Sequence, residues 1–160
     1  MVRAEFQRFE LLVAEKETLR HRATTLVQGT PGAVVATLPG LSLWLVAQYV
    51  GLVGDPGCLQ TADQVWALAG FDIVQDHSGD RRRRGHLTKQ GQSYGRAVLF
   101  HMGLAASRGC PAIRRAKQRA RQRGKGHAAA VIHAAHKTNR ICFHLYQHGI
   151  PVIGYFVCSE

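Results

Sequence analysis

Glycine and proline clusters divide this 160-residue chain into segments of helical length. The clusters are Gly29-Thr30-Pro31-Gly32, Gly54-Asp55-Pro56-Gly57, Gly109-Cys110-Pro111 and Gly124-Lys125-Gly126. Both residue types end helices, and the segments between the clusters carry apolar residues at helical spacing. The sequence therefore predicts a mainly α fold. A hydrophobic content of 46% is enough for one core, so we expect one domain with an appended helix.

The first segment, residues 4–27, predicts one amphipathic connector helix within a region that ends near residue 30. Its apolar residues recur every three or four positions, and Lys16 interrupts them. They are Phe9, Leu12, Leu19, Ala23 and Leu26. This row of apolar side chains, called the seam below, has two possible partners. They are the domain that follows and a second copy of the chain in a short coiled coil.

The main domain is predicted at residues 31–149, followed by an apolar tail at 150–160. Within residues 34–53 two apolar helices flank the turn Leu38-Pro39-Gly40-Leu41-Ser42. This pattern resembles a helix-hairpin-helix, in which a glycine turn brings backbone N–H groups close to a DNA phosphate. An ordinary helical hairpin in the core is the equal alternative. The tail is compatible with a strand, a docking segment or a frayed end.

The remaining elements follow from the same signals. Thr61 or Asp63 caps a short helix that reaches Gly70 and places Trp66 in the core. A brief extended segment is predicted at 71–74, and helices at 92–107, 112–123 and 127–148.

The last two helices differ in character. Residues 112–123 hold six cations and almost no apolar stripe, so this helix is predicted to lie on nucleic acid. Residues 127–148 separate an apolar face from a polar face that carries four histidines. Metal binding by these histidines is opposed by Lys137 and Arg140, and we predict no metal site.

Charge is strongly segregated along the chain. Residues 1–80 hold five Lys/Arg and nine Asp/Glu, whereas residues 81–160 hold sixteen Lys/Arg and one acid, the terminal Glu160. So many cations leave few internal salt-bridge partners, and the sequence favours an external polyanion. Nucleic acid is the leading partner; a solvated basic face and a basic ribosome-associated protein are the alternatives.

Other classes of protein are disfavoured. No apolar run is long enough to span a membrane, and the opening residues do not form a signal peptide. The four cysteines form no CxxC pair, which argues against a zinc site and a disulfide framework. We expect a cytoplasmic protein with reduced thiols.

Ser78 is the candidate nucleophile. It precedes Gly79, and the run Arg81 to Arg84 that follows is suited to stabilising charge on a phosphate. The alternative chemistry, magnesium held by Asp72, Asp76 and Asp80, needs an unusual loop geometry, so no cofactor is predicted in this chain.

Seven segments between Leu38 and Tyr146 together resemble one known domain. The segments are Leu38-Pro39-Gly40-Leu41, Gly51 to Pro56, Trp66 to Gly70, Ser78-Gly79, Arg84 to Gly91, Arg123-Gly124-Lys125 and Ala134 to Lys137. They look like the C-terminal domain of insertion-sequence transposases of the one-ten, one-sixteen and nine-oh-two group. Departures occur at Ser42, at Phe71 to Val74 and at Gly95, where that family usually has glycine, proline and leucine respectively.

The resemblance implies a DNA recombinase in which Ser78 attacks a phosphodiester and holds the strand covalently. It also implies an N-terminal RuvC-like domain with four acidic residues and Mg²⁺, dimeric action and a structured guide RNA from the element. Residues 1–30 resemble only the connector, so the resemblance implies a truncated or split transposase. We therefore expect DNA as partner, with a homodimer or a full-length transposase as possible protein partners.

The predicted function is DNA transposition when an acidic domain completes the site, and the alternative is a non-catalytic, nucleic-acid-binding remnant. The predicted phosphate contacts are Gly79, Arg81, Arg82, Arg83, Arg84, Lys89, Arg96, Arg114, Arg115, Arg119, Arg123, Lys125, Lys137 and Arg140.

Overall fold

The computed structural model describes residues 2–71, 73–74, 86–87 and 91–152, with side chains described outside the two short strands. The predicted mainly α class is confirmed. The helices are α1 (Val2–Gln28), α2 (Leu43–Val53), α3 (Ala62–Leu68), α4 (Ser93–Gly109), α5 (Pro111–Gln122) and α6 (His127–His148). Two 3-10 helices, Pro31–Thr37 and Pro56–Cys58, flank α2, and the strands β1 (Ile73–Val74) and β2 (His86–Leu87) pair antiparallel.

Helix α1 contacts the rest of the fold through its C-terminal part. Val27 is its one buried residue, and the Arg20 guanidinium lies 5.7 Å from the centre of the Trp44 ring at the start of α2. The predicted seam is open along most of its length, since Phe9, Leu12 and Leu19 are each more than half exposed. Leu26, at the end of the seam, is 72% exposed as well, so the described residues of the chain leave most of the seam uncovered.

Two helical segments flank the predicted turn, the 3-10 helix Pro31–Thr37 and α2, and the helix-hairpin-helix interpretation stays a prediction. Pro31 begins the 3-10 helix, and Leu38 ends it with its side chain fully buried. At the turn Gly40 has φ +96°, and a Cβ there would lie 2.5 Å from the carbonyl oxygen of Ala105 in α4. Glycine is needed because the turn packs against the end of α4, within the domain.

Helix α3 begins at a capping box. The Thr61 hydroxyl accepts from the amide of Gln64, and the Gln64 side chain accepts from the amide of Thr61. Its Trp66 packs against the core as predicted, half-buried and stacked on Phe71 with ring centres 4.2 Å apart. The predicted extended segment after it is confirmed at β1, where Ile73 pairs with Leu87.

Helix α6 is the centre of the core. Its predicted apolar face is confirmed, since Val131, Ala135, Cys142 and Leu145 are buried. Burial also extends to residues outside that face, among them Phe143 and the polar pair Thr138 and Asn139. Helices α3, α4 and α5 all pack on α6, so this helix organises the domain.

Helix α5 corrects one prediction. It was expected to be polar all round, but Ile113 is fully buried and Ala120 is 5% exposed. These two residues lie on one face, which packs on α4 and α6. The sequence prediction failed because one isoleucine and small alanines are a weak apolar signal between six cations.

The described start of the tail is docked. The Val152 side chain is buried, and its backbone N–H donates to the Thr37 hydroxyl at 3.0 Å. This contact supports the docking alternative for the tail as far as Val152.

Candidate nucleic-acid interface

The candidate nucleophile and six of the fourteen predicted phosphate contacts lie outside the described residues. They are Ser78, Gly79, Arg81, Arg82, Arg83, Arg84 and Lys89. The remaining predicted contacts lie on α4, α5, α6 and the turn before α6.

Arg96 has a role inside the domain. One of its guanidinium nitrogens, Nη1, donates to the carbonyl oxygens of Ala69 at 3.2 Å and of Gly91 at 3.0 Å. These bonds tie the start of α4 to the end of α3. The predicted phosphate contact of Arg96 stays a prediction.

Helix α5 presents its cations on both flanks of a buried stripe. Pro111 begins the helix, and Ile113 and Ala120 hold it to the core. At 100° per residue, Arg114, Lys117 and Arg121 project on one flank, and Arg115, Arg119 and Arg123 project on the other. The helix is thus a ridge with positive charge on either side.

The first flank borders a cavity of about 760 Å³ between the end of α4 and α5. Its lining residues are Ser107, Arg108, Arg114, Lys117, Gln118, Arg121 and Gln122. Among these described residues four are cations and none is an acid. Arg114 also holds the end of α4, because its guanidinium donates to the carbonyl oxygens of Ser107 and Arg108.

Three cations of this cavity, Arg108, Lys117 and Arg121, are not among the predicted phosphate contacts. Lys117 and Arg121 lie three and seven residues after Arg114, and this spacing places all three on the same helix face. The sequence alone therefore contained the signal that groups Lys117 and Arg121 with Arg114. Arg108 carried no such signal, since only packing of α4 beside α5 brings it close.

The second flank borders a cavity of about 230 Å³ between α5 and α6. Three predicted phosphate contacts meet here, namely Arg119, Arg123 and Lys125, and His133 completes the ring of basic groups. Partial burial lowers the pKa of His133, and the charges of Lys125 and Arg123 and the neighbouring His136 lower it further. A bound phosphate group would relieve this repulsion among like charges.

Lys137 and Arg140 lie on the exposed face of α6, as predicted. On the same side His136 Nε2 lies 3.4 Å from a carboxylate oxygen of Asp63 in α3. No group of three potential metal ligands occurs among the described residues. In the same part of the chain no helix is long and apolar enough to cross a membrane.

Cysteines 58, 110 and 142 are free thiols, and Cys158 lies outside the described residues. Complete burial of the Cys142 thiol raises its pKa well above the ordinary value, so this residue is a neutral core group.

Comparison with known proteins points to mobile elements. The family described as "Transposase IS116/IS110/IS902 family" matches residues 32–121. The "Insertion element IS110 uncharacterized 43.6 kDa protein" of Streptomyces coelicolor is 24% identical over 136 residues. The aligned region is 84% of this chain and 34% of that protein, so the chain spans about a third of the length of this relative.

Proposed function

The chain belongs to the IS116/IS110/IS902 family of transposases, and on this premise we propose that it binds DNA as part of a transposition reaction. The observation that carries the proposal is the α5 ridge, whose two flanking cavities are lined by cations. Among their described lining residues there is no carboxylate. Such clusters neutralise the phosphates of a nucleic acid and release its counterions.

The proposed phosphate contacts divide by position. Arg115, Arg119, Arg123 and Lys125 serve the flank that faces α6, and Lys137 and Arg140 extend the same positive surface along α6. Contacts of this kind fix the position of the protein on a duplex without reading base sequence. A basic ridge and a positive helix face together make a footprint of several phosphates.

The proposed chemistry is transesterification by Ser78. Its Oγ attacks a phosphodiester phosphorus, and an Oγ–P bond forms as the bond from phosphorus to a deoxyribose oxygen breaks. The serine gives up its proton to a base, and the departing oxygen takes up a proton. Arg81 to Arg84 would neutralise the attacked phosphate, with Lys89 and Arg96 on its neighbours. Family membership and the Ser-Gly dipeptide support this proposal.

We propose that a RuvC-like acidic domain with Mg²⁺ completes the reaction, and that a guide RNA and a second protein copy assemble with it. The described residues offer no set of magnesium ligands. The alternative function is a nucleic-acid-binding remnant that performs no strand transfer.

The DNA-binding proposal is tested with the triple variant Arg115→Gln, Arg119→Gln and Arg123→Gln. These side chains are exposed, so folding should be unaffected. Duplex affinity should fall, and the slope of log affinity against log salt should decrease by about 0.9 for each lost phosphate contact. Fluorescence anisotropy with a labelled duplex measures both quantities.

The matched control removes three exposed cations from α1, by Arg3→Gln, Arg8→Gln and Lys16→Gln. Equal effects of the two triple variants would show that only net charge matters. A salt-independent affinity of the unmutated chain would contradict the proposal.

Ser78→Ala separates catalysis from binding. With an acidic domain of a family member supplied as a separate protein, the variant should keep DNA affinity and lose strand transfer. Absence of strand transfer by the unmutated chain under the same conditions would favour the remnant.

A further inference from the structure

Three separate cavities are linked in a row by shared lining residues, and this row is called the track below. A cavity of about 330 Å³ between α1 and α2 shares Trp44 with a cavity of about 410 Å³ between α2 and α4. The second cavity shares Arg108 with the basic cavity beside α5. The track therefore runs from α1 past Trp44 and Arg108 to the first flank of α5.

The middle cavity has the chemistry of a nucleobase site. Trp44 and Leu45 from α2 and Leu104 and Ala105 from α4 supply apolar surface. Gln48 and His101 supply donors and acceptors for hydrogen bonds to a base edge. A largely apolar pocket with a few convergent polar groups, at about 410 Å³, is within the usual range for small ligands.

Positive charge is concentrated at the α5 end of this cavity. On the α5 side Arg108 leads to Arg114, Lys117 and Arg121. On the α1 side Arg20 and His21 line the neighbouring cavity with the start of α2. Glu17 also lines that end and lies 3.8 Å from Arg20, so the charge there is partly balanced and the α5 end is the stronger phosphate site.

Resting on the nucleic-acid-binding function proposed above, we propose that this track binds an unpaired strand, with a base packed against Trp44 and its phosphate on Arg108. Proteins that bind single strands combine a positive groove with aromatic side chains on which bases stack. In a duplex the bases are stacked on one another inside the helix, so they cannot enter a cavity between two protein helices. The track therefore recognises unpaired nucleotides, while the opposite flank of α5 serves the duplex.

The chain offers a direct probe, because Trp44 and Trp66 are its two tryptophans. Trp66→Phe keeps an aromatic ring stacked on Phe71 and leaves Trp44 as the only tryptophan of the chain. Titration with a dT decamer, an rU decamer and a duplex decamer should show saturable quenching by the decamers that are unpaired. The dT and rU arms distinguish an unpaired DNA strand from RNA as the occupant.

Trp44→Leu should lower single-strand affinity about tenfold or more and leave duplex affinity within about twofold. Trp66→Phe is the matched control and should change neither. Arg108→Gln is a second test that does not depend on packing at Trp44, because the Arg108 side chain is exposed. This variant should reduce the salt slope for the single strand by about 0.7, and Arg3→Gln should not.

The inference is overturned if neither the dT decamer nor the rU decamer changes the fluorescence of Trp44. It is also overturned if Trp44→Leu loses single-strand affinity and duplex affinity equally. Duplex binding together with such a result leaves the proposed function standing. Failure of the unmutated chain to bind any of the three nucleic acids overturns both.

Discussion

At the scale of single residues, several polar side chains have a role inside the domain that the sequence did not indicate. Ser42, which departs from the usual family glycine, caps α2 by accepting from the amide of Leu45 at 3.4 Å. Arg114 was predicted only as a phosphate contact, yet it also holds the last carbonyls of α4. Such roles depend on which backbone groups lie within reach.

His133 carries a prediction of its own. Partial burial lowers its pKa in the free protein, and the cations around it lower that pKa further. A bound phosphate would raise the pKa toward or above the ordinary value of about 6.5. Binding at this cavity is then coupled to proton uptake. Duplex affinity should rise as the pH falls through the interval between the bound and the free pKa.

The measurement is duplex affinity between about pH 8 and about pH 5.5, which brackets the ordinary histidine pKa. His133→Gln should show a smaller gain at low pH than the unmutated chain. His148→Gln, at the exposed end of α6, is the control and should retain the full gain. Identical pH profiles for the chain and for His133→Gln would rule out this coupling.

At the scale of elements, α4 and α6 approach each other closely at Gly103. A Cβ added at Gly103 would lie 2.5 Å from the backbone nitrogen of Ala135 and 2.7 Å from its Cβ. Gly95, another departure from the family pattern, is similarly crowded, with Leu52 Cδ1 at 2.9 Å from an added Cβ. Close packing of α4 on α6 and α2 explains why glycine occupies these two positions of α4.

Gly103→Ala should therefore lower the free energy of unfolding by about 1–3 kcal/mol, because α4 and α6 must move apart. Gly51→Ala is the matched control, since Gly51 also lies in a helix but has no atom within 4 Å of an added Cβ. It should raise the free energy of unfolding by about 0.4–1 kcal/mol. Urea unfolding followed by circular dichroism measures both, and equal responses would contradict the close packing.

At the scale of the whole molecule, one buried polar network joins three helices. The Tyr49 hydroxyl in α2 donates to the Asn139 side-chain oxygen in α6 at 3.0 Å. The Asn139 amide nitrogen donates to the Ala62 carbonyl in α3 at 2.7 Å. Burial, and secondarily Cys142 and Tyr146, raise the pKa of Tyr49 well above its ordinary value, so its hydroxyl remains a donor.

Tyr49→Phe should lower the free energy of unfolding by about 1–3 kcal/mol, because it leaves the buried Asn139 oxygen without its donor. Tyr94→Phe removes a hydroxyl from a ring that is 52% exposed and should have little effect. Thermal and urea unfolding of the two variants provide the comparison. A Tyr49→Phe variant as stable as the parent would mean that the network does not hold α2, α3 and α6 together.

The sequence by itself determined the helices, because the period of 3.6 residues and the Gly/Pro breaks are local signals. The helices at 93–109, 111–122 and 127–148 begin and end within two residues of the predicted bounds. The sequence also identified the family of the chain and the high positive charge of α5. The nucleophile Ser78 stays a prediction.

Only the tertiary structure decided which of these groups meet. Arg108 joins the α5 cations, and Trp44 faces a cavity with His101, because α2, α4 and α5 pack side by side. Ile113 and Ala120 form a buried stripe because α5 packs on α4 and α6. Such groupings join residues that are far apart in the chain. The local periodicity of the sequence predicts each helix but not how the helices pack against one another.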